Sequence, residues 1–280
     1  MRANVIFGGL LISLLTAVSC ADAYEAVLIP WSINPGDAFT LKITGVIPSN
    51  SPSASLNGKP LYLTPCGEGC LIAVGAVDVE AKPGVSKVLI TNGTLKRHLP
   101  LVVKKTRFPR QSITLPKDKV ILSPDDLTRA DHEAERLQAL WHNVTPPLWE
   151  GNFILPLNND VSTLFGTKSI INRKKTSVHQ GADIRGRKGE EVKASNKGIV
   201  VLAEELFFGG NTIILDHGQG IYTLYMHLSG FTVRLEDTVL RGDVIGFVGS
   251  SGRSSGPHLH FGVKVQETSV NPLSLIKLKL

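Results

Sequence analysis

Apolar and polar residues alternate from Tyr24 to about residue 105. In Phe39-Thr40-Leu41-Lys42-Ile43-Thr44 the apolar side chains fall on one face and the polar ones on the other, the period of a half-buried strand. Asn34-Pro35-Gly36-Asp37, Asn57-Gly58, Lys82-Pro83-Gly84 and Asn92-Gly93 interrupt this pattern with turn chemistry. Short strands between regular turns predict a small immunoglobulin-like β-sandwich over residues 24–105. The period then changes. Ser123-Pro124-Asp125-Asp126 combines a capping side chain, a first-turn proline and two acids, which predicts a helix over about 124–142. Leu127, Ala130, Ala134, Leu137 and Trp141 form its apolar stripe, and Thr145-Pro146-Pro147 ends it. Residues 106–150 are read as a linker carrying this helix, and the basic run 104–110 as a solvated connection. From Gly151 to residue 280 short β-type runs return, at 199–203, 211–215, 222–227, 244–248 and 258–265, separated by glycines. With no long helical segment between them, they predict a largely antiparallel sheet. The chain is therefore expected to be mainly β.

The first 23 residues follow none of these periods. Arg2 supplies a positive start, 5–18 is uncharged and apolar, and Ala21-Asp22-Ala23 offers a small-x-small cleavage site before Tyr24. This is the pattern of a signal peptide at 1–23. The apolar run is short for a membrane span of about 30 Å. Cys20, after Ala17-Val18-Ser19, leaves two fates open: removal with the signal peptide, or lipidation, which is the one route to a membrane partner. Cys66 and Cys70 are then the only other cysteines. An exported chain favours a short disulfide between them over half of a zinc site, since no second Cys/His pair lies nearby.

Composition narrows the class. Of 280 residues 42% are hydrophobic and 19% charged, which excludes a disordered chain and a multi-span membrane protein. The formal net charge of +6 suits an acidic partner without choosing one. Nucleic acid fits the charge but not the export signal, so no nucleic-acid partner is expected.

The chemistry gathers in the last domain. His179 and Asp183 are four residues apart, as on a zincin helix, but Gly181 and the β-rich surroundings place them on a strand or turn. His258 and His260 share one side of a strand, with Leu259 pointing inward. His227 ends the predicted strand 222–226. These residues together make a nitrogen and oxygen donor set suited to zinc. His98, His132 and His142 read as surface or interface residues.

In order along the chain stand His179-Gln-Gly-Ala-Asp183, Gly210-Asn-Thr-Ile-Ile-Leu-Asp-His-Gly218, Tyr222-Thr-Leu-Tyr-Met-His-Leu-Ser229, Gly242-Asp-Val-Ile-Gly246 and Ser255-Gly-Pro-His-Leu-His-Phe261. Through these motifs residues 151–273 resemble the LytM/lysostaphin-type zinc metallopeptidases of bacterial cell walls. The upstream sandwich and helix resemble the non-catalytic region of some Gram-negative exported members. The resemblance implies one Zn2+ held by His179, Asp183 and His260, with His227 and His258 as catalytic residues beside it. Three protein ligands leave a fourth position for water, and zinc brings the pKa of that water to about 7. Which of His227 and His258 carries the proton and which stabilises the oxyanion stays open. Asn172 matches a substrate-facing position, and His217 matches a position that is not a ligand. Tyr222 and Tyr225, read as sharing a strand face, are cleft wall or core.

Two further features bear on the cleft. Gly249-Ser-Ser-Gly-Arg-Ser-Ser-Gly256 lacks the Gly-Lys-Ser/Thr ending of a phosphate loop, and it is expected to rim the cleft. Arg173, Lys174, Lys175, Arg185, Arg187 and Lys188 flank the first ligand pair and suit an anionic polymer. The expected protein is an exported, periplasmic or envelope zinc endopeptidase. Its partner is peptidoglycan; the resemblance implies hydrolysis of cross-links such as D-Ala–diaminopimelate bonds, which the Gram-negative-like architecture favours, or of a glycine-containing bridge, and a metallopeptidase that cleaves proteins instead is a competing reading. The alternative is a non-enzymatic wall-binding or amidase-activating protein, which loss of a ligand would favour; none is lost. A regulatory protein partner, or closure of the cleft by the linker and helix, is a further expectation.

Overall fold

A computed structural model of the chain describes residues 24–46, 51–114, 122–172 and 175–280. The segment 1–23 expected to be a signal peptide, with Cys20, and the basic residues Arg173 and Lys174 lie outside the described residues. So does the side chain of Lys175. No described helix is long and apolar enough to cross a membrane.

The alternating N-terminal segment forms two facing sheets. One has the order Glu25–Ile29, Ala38–Thr44, Cys70–Ala76, Thr64–Pro65, with antiparallel neighbours throughout. The other runs Ser32–Ile33, Leu95–Val103, Gly84–Asn92, Ser53–Leu56, Lys59–Leu61, and only its first pair is parallel. Phe39, Leu41 and Ile43 of the first sheet share one core with Val88, Ile90 and Leu101 of the second. All six are fully buried, and each such side chain contributes about 1.5–3 kcal/mol. Cys66 and Cys70 form a disulfide across the tight loop before Cys70–Ala76.

The C-terminal sheet is built around six strands: β1 (Gly181–Arg185), β2 (Gly198–Leu206), β3 (Gly210–Asp216), β4 (Ile221–Phe231), β5 (Val244–Val248) and β6 (His258–Val265). The order β1-β6-β4-β3-β2 is antiparallel throughout, and β5 pairs with the far end of β4. One face carries Ala182, Ile184, Leu259, Phe261 and Val263 into the core. The opposite face carries Asp183, His258 and His260, because period-two alternation puts odd residues of β1 and even residues of β6 there.

Helix α1 (Pro124–Trp141) starts where the sequence predicts, with the Ser123 hydroxyl accepting the Asp126 N–H at 3.1 Å. Its buried face differs from the predicted stripe. Ala130, Glu133 and Trp141 are buried, while Leu127 and Ala134 are exposed. The reason is a polar anchor: Glu133 accepts the Phe207 N–H at 2.7 Å and pairs with Arg129 at 2.8 Å, which rotates the helix about that contact. Trp141 then packs edge-on to Tyr222 among Leu202, Leu206, Ile214 and Leu224. The basic linker is not simply a solvated connection. Arg110–Ile113 adds a parallel strand to Lys168–Ile171, and the Phe108 ring closes against Gly166.

The sandwich abuts the C-terminal sheet through α2 (Pro272–Ile276) and its cap. Asn271 donates its N–H to the Gly36 carbonyl at 2.7 Å and its side-chain amide to Asp37 at 2.9 Å. The Ala38 N–H donates to Ser274 Oγ at 2.9 Å. This contact carries the sandwich turn at Asp78–Glu80 to the edge of the face that holds the histidines.

Candidate active site

Register alone brings most of the site together. Asp183 on β1 lies opposite His260 on β6, Arg185 lies opposite His258, and Met226 on β4 flanks His260 from the other side. His179 reaches in from the turn before β1. His179 Nε2 and His260 Nδ1 both lie 2.9 Å from Asp183 Oδ1 and 3.1 Å from each other. The three donor atoms fall within 4.8 Å of one another. His179 donates its Nδ1–H to the Leu164 carbonyl at 3.1 Å, which fixes the tautomer that leaves the Nε2 lone pair pointing into the cluster. Two imidazole nitrogens and a carboxylate oxygen converging on one point make a donor set that fits a divalent cation, and zinc best.

The side chains of these three and of His258 are 15–18% exposed, so the site is desolvated yet reachable. Burial raises the Asp183 carboxyl, but hydrogen bonds from His179 and His260 outweigh it and hold the group well below the usual range. Burial also opposes charging of both imidazoles. In His179 the Asp183 hydrogen bond wins and the pKa rises; in His260 burial prevails and it falls. Gly181 lies directly beside this cluster. A Cβ there would sit 2.6 Å from His260 Nε2 and 2.6 Å from the Phe261 carbonyl.

His227 and His258 stand next to the cluster, ring centroids 4.9 Å apart. His258 Nε2 lies 3.8 Å from Asp183 Oδ1. Each donates its Nδ1–H to a carbonyl of the loop 249–256: His227 to Ser251 at 2.9 Å, His258 to Gly256 at 2.8 Å. Burial, and then the neighbouring charges of His260 and His258, push the His227 pKa down to about 4. The strand does not end at His227, as the pattern suggested, but continues to Phe231. At His227 its partner changes from β6 to β5 and its backbone turns left-handed, with φ of 64°. Strict alternation would have sent this imidazole to the core face with Tyr225. The irregularity turns it toward the His179–Asp183–His260 cluster instead.

Neither tyrosine lines the cleft, and they do not share a face, being three residues apart. Tyr225 is in the core beside Phe261, and its hydroxyl accepts the Ser195 N–H at 2.9 Å. Tyr222 donates its hydroxyl to the carbonyls of Leu140 and Asn143 under α1. His217 is fully buried, with its Nδ1–H donated to the Lys197 carbonyl at 2.7 Å and Nε2 2.7 Å from Thr223 Oγ1. Asn172 occupies the turn between Lys168–Ile171 and Lys175–Val178, with φ of 49°.

A groove of about 700 Å³ runs from His179 and His260 across Met226, Leu224 and Lys264 to Asp78 and Glu80 of the sandwich. Arg253 also lines it. A second depression beyond the cluster is lined by Arg185, Arg187 and Lys188. The expected cleft-rim loop 249–256 thus brings Arg253 to the groove, while sequence reasoning missed Met226, Lys264 and the two sandwich acids. The even positions of β4 and β6 carried a signal for Met226 and Lys264. Nothing local marked Asp78 and Glu80, which arrive only through docking of the two units.

Comparison with known proteins follows the same segment. Residues 177–272 match the family model described as Peptidase family M23. Over 98 residues the chain is 42% identical to the DD-carboxypeptidase/endopeptidase Mpg of Neisseria meningitidis serogroup B, covering 35% of this chain and 23% of that protein. Over 100 residues it is 36% identical to the peptidoglycan DD-endopeptidase ShyA of Vibrio cholerae, covering 36% of this chain and 23% of that protein. The matches thus span about a quarter of the length of these curated relatives. A solved structure described as a candidate M23 peptidase of Pseudomonas aeruginosa aligns over 86% of this chain and 94% of its own, at 28% identity and a TM-score of 0.66. The sheet that carries the histidine cluster is a peptidase family M23 domain.

Proposed function

We propose that this protein is an exported zinc-dependent endopeptidase that hydrolyses peptide cross-links of bacterial peptidoglycan. The observation that carries the reading is the convergence of His179 Nε2, Asp183 Oδ1 and His260 Nδ1 beside His227 and His258, inside a domain whose curated relatives bear endopeptidase names. His179, Asp183 and His260 would hold the zinc. When bound, the ion supplies Lewis acidity and a water that is acidic near neutral pH.

The remaining work falls to the chain's own groups. With both Nδ1–H groups tied to carbonyls, neutral His227 and His258 each present Nε2 as a proton acceptor toward the same space. Once protonated, the same atom becomes a donor for a developing oxyanion or for a leaving amine. Holding both rings through one loop keeps that geometry fixed before substrate arrives, which is where such sites gain rate. The ligand carboxylate stays ionised across the working pH range. The groove beside the cluster is the place for the substrate peptide, and Arg185, Arg187 and Lys188 beyond the cluster give a positive field for an anionic polymer. Signal-peptide removal or lipidation at Cys20 would deliver the chain to the envelope.

The test is digestion of purified cross-linked peptidoglycan, with casein in parallel and released fragments identified by mass. Conversion of cross-linked dimers to monomers, with casein intact, supports the reading and names the bond. Casein cleavage without muropeptide release replaces it with a general protease. Release of neither leaves a binding or amidase-activating role.

A further inference from the structure

Two cations line the groove beside the histidine cluster, and they differ in one respect. Lys264 is already satisfied. Its ammonium donates to the Glu267 carbonyl at 3.0 Å and to Ser269 Oγ at 3.3 Å, and lies 5.2 Å from the Trp141 ring. Arg253 is half-buried, yet among the described residues no carboxylate pairs with it, and burial alone lowers its pKa. Its side-chain contact is the face of Phe208, with the guanidinium carbon 4.3 Å from the ring centroid. Stacking of this kind holds the planar fork in place while leaving its N–H edge free. A half-buried cation without a counter-ion is a cost that a bound anion would remove.

The loop that carries Arg253 is fixed. The Arg253 N–H donates to the Phe208 carbonyl at 3.0 Å. Ser251 Oγ accepts the Asn211 N–H at 2.9 Å and donates to the Leu228 carbonyl at 2.8 Å. Gly252, with φ of 66°, presses so close to Gly210 that an added Cβ would meet its nitrogen at 2.3 Å. The Ser251 carbonyl of this loop orients His227, and Gly256, three residues after Arg253, orients His258. One rigid loop therefore sets the distance between the two imidazoles and the guanidinium.

We propose that Arg253 is a specificity-determining residue: its guanidinium receives a carboxylate of the peptide substrate, and so selects peptides with a free acid near the bond placed at the histidine cluster. The inference rests on the peptidase reading above and names the chemistry of one subsite. A bidentate guanidinium–carboxylate pair suits this geometry, and a lysine at this position would restore charge without the fork.

The test separates binding from cleavage. Synthetic stem peptides that differ only in carrying a free or an amidated carboxylate are titrated against the full mature chain and against Arg253→Met and Arg253→Lys. Wild type is expected to bind the free acid about tenfold or more tightly than the amide. Arg253→Met is expected to bind both alike, at the affinity wild type has for the amide, and Arg253→Lys to recover part of the preference. In cleavage assays the loss of preference should appear as a KM for the free acid raised to that for the amide. A preference that survives in Arg253→Met, a wild type that does not distinguish the two peptides, or no binding of either overturns the proposal. Selective binding without hydrolysis leaves the carboxylate subsite standing and overturns the peptidase reading alone.

Discussion

Gly181 gives the sharpest test of how the site is held. It has ordinary strand geometry, so the demand for glycine is purely spatial. In Gly181→Ala the new methyl would lie 2.6 Å from His260 Nε2 and from the Phe261 carbonyl, 0.8 Å short of the 3.4 Å at which ordinary contact begins. The Phe261 carbonyl belongs to the β1–β6 ladder, so it cannot move without breaking register. The methyl therefore strains β1 against that carbonyl and displaces the His260 ring as well. Metal-ligand distances tolerate about 0.2 Å, so a displacement of several tenths is large for a ligand. Faults of this kind in the support of a metal site lower affinity about 10–100-fold, while overpacking lowers stability by about 1–3 kcal/mol. Zinc affinity by chelator competition, with circular dichroism to confirm the fold, measures both. Gly230→Ala is the control, since nothing lies within 4 Å of its added methyl. A folded Gly181→Ala protein with wild-type zinc affinity would refute the packing of His260 against this glycine.

Three other outcomes follow from the structure. His217 has a folded pKa of about 4 against about 6.5 unfolded, so it contributes full stability above pH 6.5 and loses it as pH falls toward 4. About 3 kcal/mol should vanish over that window in denaturant titrations, and His217→Gln should flatten the slope; an unchanged slope would exclude the buried neutral imidazole as its source. Trp141→Ala should cost about 3–5 kcal/mol, because the ring fills the seam between α1 and Tyr222. A loss below about 1 kcal/mol in urea unfolding would mean that α1 is not docked there. Reducing the Cys66–Cys70 disulfide should cost about 2 kcal/mol, the loop-closure value for so short a ring, and should leave zinc affinity unchanged, since the bond lies in the sandwich away from the cluster.

Much of the site was legible because β-structure has a simple period. His258 and His260 had to share a face, and Asp183 joined them once β1 paired with β6 in the observed register. The N-terminal alternation likewise exposed the inward row Phe39, Leu41 and Ile43. What the pattern hid were departures from period two and effects of docking. His227 faces the cluster through a left-handed residue at a change of strand partner, which no spacing rule reveals. Tyr222 and Tyr225 were placed on one face by proximity, although an odd separation puts them on opposite faces of a regular strand. The α1 stripe misled because Glu133, a charged residue, is buried by its bond to the Phe207 amide, and Leu127 is left in solvent. Asp78 and Glu80 enter the groove only through the Asn271–Gly36 and Asn271–Asp37 contacts, between residues more than two hundred positions apart.

His179, Asp183 and His260 are proposed to hold one zinc ion at the site where the chain hydrolyses wall cross-links. Cross-linked muropeptide dimers are followed by mass with the protein from Tyr24 onward, after chelation, after zinc is restored, and in His260→Ala. The expected result is that dimers are cleaved, that chelation stops cleavage, that zinc restores it in wild type, and that zinc does not restore it in His260→Ala. Cleavage that persists in the chelated protein or in a folded His260→Ala would contradict it.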